Sequence, residues 1–111
     1  MTLPETSALT ADTIELDDDP EALFVLSLEQ GWGDGAPILP PTDERIARLL
    51  AATPHPADHI VGVLPPRNGV CTVELAAVNA AMAGVEPAAF PFVLAALEAI
   101  SAPEWNAFAL T

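Results

Sequence analysis

The chain has 111 residues, a formal net charge of −13 from sixteen acids against three arginines, and about half its residues apolar. That length fits one domain with one modest core. Such a charge repels phosphate backbones and anionic bilayers, so nucleic acid and membrane surfaces are excluded as partners. Many of the apolar residues are alanine, which allows close helix contact but buries little area per residue.

Cys71 is the only cysteine, so no internal disulfide is possible. No basic, apolar leader opens the sequence and no apolar run reaches membrane-spanning length, so a cytoplasmic location is expected. The acidity serves solubility, or it steers a basic partner.

Residues 1–18 carry Pro4, several hydroxyl residues and acids that thicken towards Asp17-Asp18-Asp19, the composition of a flexible arm. The alternative is a short edge strand that Thr13–Leu16 adds to a partner. Residues 19–111 are then the single domain. Asp19-Pro20-Glu21 joins a cap residue, a proline at the first helical position and an acid at the positive dipole end, which predicts a helix start. The following Ala22–Leu28 stretch is apolar around most of its circumference and needs cover on more than one side. Gly31 fits the C-cap position.

Gly31-Trp32-Gly33-Asp34-Gly35-Ala36-Pro37-Ile38-Leu39-Pro40-Pro41 follows. Three glycines and three prolines within eleven residues specify a loop shape. Thr42 caps a second helix whose Ile46, Leu49 and Leu50 share one face, and Thr53-Pro54-His55-Pro56 stops it. Ile60–Leu64 reads as a strand and Arg67-Asn68-Gly69 as a turn. Thr72–Ala83 predicts a third helix closed by Gly84, and Glu86-Pro87 opens a fourth running to Ile100. Ser101-Ala102-Pro103-Glu104 has capping-box spacing for one more turn, before Trp105, Phe108 and Leu110. The predicted class is α+β, mainly helical, with about four helices and one or two short strands.

Two stretches carry candidate chemistry. In the glycine loop, Asp34 is a candidate general base or ligand and Gly33 and Gly35 let a substrate approach the backbone. Trp32 would line the pocket. The plainer readings are an Asx turn for Asp34 and core packing for Trp32. In the second stretch, a turn at Arg67, Asn68 and Gly69 leading to a helix N-terminus suits a small anionic substrate. Cys71 beside that terminus would have a depressed thiol pKa. A solvent-facing arginine and a small buried cysteine are the plainer alternative. Glu74 (a catalytic candidate with Asp34 and Cys71) and Asn79 are polar residues in an apolar helix, facing a pocket or solvent. His55 and His59 have the spacing of two metal ligands on one helix face, but prolines flank His55 and no third ligand is near in sequence. No metal site is expected, and no cofactor is indicated.

Gly31–Arg45 with its Gly-Trp-Gly-Asp-Gly-Ala-Pro opening, then Val61–Pro66, then Thr72–Glu74 with Val78–Gly84, resembles the N-terminal part of a poorly characterised family of longer bacterial proteins. That family carries a Gly-Trp-Gly-Asp-Gly-Leu-Pro signature, and some relatives are linked to proteins with a selenocysteine-Gly-Ser-Cys redox motif that this chain lacks. The resemblance spans residues 29 to 108. Relatives often carry cysteine where Val85 stands, so a thiol role at that position does not transfer. Because relatives are longer, the resemblance implies a small subunit of a two-component enzyme, its site shared with a larger companion chain. Redox or carbon–heteroatom chemistry is the reaction class this implies. The alternative is a non-catalytic module that stabilises a partner.

Overall fold

In a computed structural model, residues 12–65 and 67–105 are described. They form α1 (Pro20–Glu29), α2 (Asp43–Leu50), β1 (Ile60–Leu64), β2 (Gly69–Thr72), α3 (Val73–Met82) and α4 (Phe90–Ser101). Short 3-10 turns at Pro87–Ala89 and Pro103–Trp105 bracket α4. The fold is α+β and mainly helical, with four helices and one two-stranded antiparallel hairpin among the described residues.

The helix starts follow from local hydrogen bonding. Asp19 accepts from the Glu21 N–H, Thr42 from Arg45 and Thr72 from Leu75, each supplying an acceptor to a donor with none inside its helix. Two helix ends close as Schellman motifs. After α1, Gly31 (φ +71°) donates to Leu28 O and Trp32 to Ser27 O. After α3, Gly84 (φ +81°) donates to Ala81 O and Val85 to Ala80 O. Both glycines occupy the left-handed position that costs a side-chain-bearing residue energy.

The core gathers α2, the hairpin, α3 and α4. Alanines 76, 77, 80 and 81 line the buried face of α3 and let its neighbours approach closely, with Ile46 and Leu49 from α2 and Phe90 and Leu94 from α4 filling the space. In the hairpin, Ile60 pairs with Thr72 but Gly62 with Cys71, so β1 carries one extra residue there. That irregularity is a bulge at Val61, whose side chain is buried in the core.

Several expectations need correction. The hairpin's second strand takes Gly69–Thr72, so α3 starts at Val73 and Cys71 lies in a strand. The fourth helix begins at Phe90, after a 3-10 turn that absorbs Pro87. The one more turn expected after Ser101 is present as the 3-10 turn Pro103–Trp105, but Ser101 is the last residue of α4 and its Oγ donates back to Glu98 O at 2.9 Å. The apolar circumference of α1 is covered on one side only: Leu23 and Ser27 are buried, whereas Val25 and Leu28 are exposed. Ile14 and Leu16 are exposed. Phe108, Leu110 and most of the predicted arm lie outside the described residues.

Candidate functional site

The glycine loop is tied at both ends. At its start, the N–H groups of Trp32 and Gly33 both donate to Ser27 O, at 2.8 and 3.3 Å. Gly33 sits so close to α1 that a Cβ there would come within 3.1 Å of the buried Ser27 Oγ. At its far end, Leu39 N–H donates to Met82 O at 3.0 Å, and the Leu39 side chain lies over Gly84. The loop therefore bridges the C-terminal ends of α1 and α3. Its tip is an Asx turn in which Asp34 Oδ1 accepts from Ala36 N–H at 3.0 Å, with Gly35 at φ +104°. Trp32 is 49 % exposed, so core packing does not account for it.

The anion site expected at the start of the third helix is not assembled. Arg67 and Asn68 form the hairpin tip, with Asn68 at φ +54°, and β2 separates them from α3. The first N–H groups of α3 already have protein acceptors: Val73 donates to His59 O and Glu74 to Ala57 O, both at 2.9 Å, and Leu75 to Thr72 Oγ1. None of these three is left for a ligand, and the segment before β1 takes the first two.

Cys71 also departs from expectation. Half-buried in β2, its thiol is pushed above its ordinary pKa by burial, so thiolate is disfavoured. Glu74 is 5 % exposed and is not without a partner, so it belongs to the interior rather than to a solvated face. Asn79 is exposed and donates to Leu75 O at 2.9 Å.

The structure does bring Gly69, Cys71 and Asn79 together. They line an open groove of ≈ 540 Å³ between β2, α3 and α4, with Val70, Leu75, Val93 and Leu97. Its walls are mostly apolar, and Asp34, Trp32 and Arg67 are not among the residues that form it. A smaller cavity of ≈ 190 Å³ lies beside Arg45, Arg48 and the end of α3. There Arg45 Nη2 donates to Ala81 O at 3.3 Å while its buried Nε has no hydrogen-bond partner among the described residues.

Sequence reasoning missed Glu98. The fold carries it on α4 to His55 and His59, so that one ligand atom from each of the three lies within 4.8 Å of the others. Only the histidine pair was visible from spacing, because nothing local links Glu98 to it.

The architecture defines a small, mainly helical α+β domain with an apolar groove and a tied glycine loop. Compared with known protein families, curated proteins and solved structures, the chain matches none. No helix among the described residues is long and apolar enough to cross a membrane.

Proposed function

We propose that this chain works as the small subunit of a two-component bacterial enzyme, docked on a larger companion chain that completes its site. The observation that carries the reading is the apolar surface left uncovered on separate elements. Phe92 on α4 is 77 % exposed, and Val25 and Leu28 on α1, Ile60 and Val63 on β1, Val70 on β2 and Leu75 on α3 are exposed as well. Single exposed apolar residues are ordinary, but so many on a domain this small favour burial against another chain. The glycine loop and the groove at Cys71 and Asn79 would face that chain, which would supply most of the reacting groups. A small anionic substrate remains part of the proposal through the exposed Arg67.

A second reading has its own support. Asp34 is engaged in a turn, the α3 N–H groups are occupied and the Cys71 thiol is raised, so this chain's part would be to stabilise its companion rather than to do chemistry.

The test is purification of the tagged chain from its native host, followed by reconstitution. A larger chain in fixed stoichiometry is expected, lost with Phe92→Glu or Leu28→Glu while the helical signal is kept. Asp34→Asn and Arg67→Ala then separate the two readings: loss of turnover in an intact complex favours the enzyme subunit, unchanged turnover the stabilising module. A monomer that unfolds cooperatively alone and holds no companion overturns both.

A further inference from the structure

We propose that His55, His59 and Glu98 form a binding site for a divalent transition metal ion with a preference for nitrogen donors, zinc being the reference case. The donor set is two imidazoles and one carboxylate, the ligands that hold zinc in open, three-residue protein sites. One ligand atom from each residue lies within 4.8 Å of the other two, so closing that distance and rotating one imidazole would bring all three around one ion. The imidazole rings are stacked with centroids 4.2 Å apart and planes 8° from parallel, so both side chains are gathered at one place, and because ring-nitrogen lone pairs lie in the ring planes one imidazole turns out of the stack when the two share an ion.

The backbone that carries the histidines is also fixed, which lowers the ordering cost of binding. His55 N–H donates to Thr53 Oγ1 at 3.3 Å and His59 N–H to Pro56 O at 3.1 Å. The carbonyls of Ala57 and His59 accept the first two N–H groups of α3, each at 2.9 Å. Pro54 and Pro56 restrict the chain on either side of His55. The third ligand stands on α4, which packs directly on β1, the strand that begins one residue after His59. Loop and helix are thus two rigid supports, and an ion between them would tie the segment after α2 to α4.

The surroundings point the same way. A chain of net charge −13 favours cations, while the imidazoles give the site a selectivity that carboxylates alone lack. With three protein ligands and two of them solvent-exposed, the ion would keep at least one coordination position for water or for a group of another molecule. None of its residues lines the groove at Cys71 and Asn79.

The probes are Zn²⁺ and Co²⁺ added to the metal-free full chain, read by titration calorimetry and by the visible absorption of bound Co²⁺. A single saturable equivalent per chain is expected, retained in excess Mg²⁺, together with a rise in unfolding temperature because only the folded chain gathers the ligands. His55→Ala, His59→Gln and Glu98→Gln should each weaken Zn²⁺ binding by at least about tenfold, the loss that even outer partners of metal ligands cause. Circular dichroism on the three variants keeps the comparison to folded chains. Undiminished Zn²⁺ binding by Glu98→Gln would overturn the site in favour of a bare histidine pair. Displacement by Mg²⁺, or the absence of a saturable equivalent, would overturn it in favour of diffuse attraction to surface acids.

Discussion

Gly62 of β1 and Ser101 at the end of α4 are in such close approach that a Cβ added to Gly62 would lie 2.6 Å from Ser101 Cβ. Space, not backbone conformation, is what requires glycine here, since Gly62 is not among the glycines with positive φ. The contact sets how near α4 lies to the hairpin, and with it the position of Glu98 beside the histidines. Gly62→Ala should therefore push α4 outwards and destabilise the fold by about 1–3 kcal/mol, the usual cost of overpacking. Denaturant unfolding measures this. Ser101→Ala should relieve less of the cost than Ser101→Gly, because it removes the Oγ, the nearer atom, but keeps the Cβ, whereas Ser101→Gly removes both. Equal behaviour of the two double variants would refute the steric account.

Phe90 and Phe92 are two residues apart on α4 and offer a contrast of position at constant chemistry. Phe90 is 0 % exposed and among the largest fully buried side chains, while Phe92 faces out. Phe90→Ala should cost about 3–5 kcal/mol, a large part of the stability of a small domain. Phe92→Ala should change the stability of the isolated chain by no more than about 0.5 kcal/mol, as for surface substitutions generally. A large loss from Phe92→Ala in the isolated chain would show that something in this chain already covers it.

What could be read from the sequence was local hydrogen bonding. Asp19-Pro20 and Thr42 as helix starts, and Gly31 and Gly84 as helix ends, each depend on groups within a few residues, and each stands where composition placed it. Strand β2 was not legible because four residues become a strand only by pairing with β1. The turn after Ser101 was legible in the spacing, although the Ser101 hydroxyl bonds back to the preceding turn and not forwards. The candidate site suffered most, for the same reason. Whether the α3 N–H groups were open to a ligand depended on where the carbonyls of Ala57 and His59 came to rest, and Glu98 meets its histidines only through the packing of α4.

Gly84 ends α3 in the left-handed conformation at φ +81°, and a Cβ there would also come within 3.3 Å of Leu39 Cδ1. Gly84→Ala should cost about 1–2 kcal/mol for the backbone alone. Because Leu39 anchors the far end of the glycine loop, the same substitution should loosen that loop, visible as faster amide exchange at Leu39. Gly35→Ala places a strained residue at the exposed tip, with nothing within 4 Å of the new carbon. It should leave exchange at Leu39 unchanged. If both variants leave it unchanged, the loop is not held through α3.

Cys71 provides a test by pH. Burial holds its thiol above the ordinary value, so at neutral pH the folded chain carries less thiolate than a free cysteine does. Alkylation by iodoacetamide should be slower than for a cysteine peptide at every pH from neutral to mildly alkaline, and its rise with pH should be displaced to higher pH. Unfolding the chain should restore the peptide rate. The direction matters for function: a raised thiol suits a groove wall that packs against apolar groups, whereas a nucleophile needs the opposite shift. Alkylation faster than the peptide would reverse that assignment and return Cys71 to the reacting groups. Slow alkylation that quickens when a companion chain docks would instead place the activating charge on the companion.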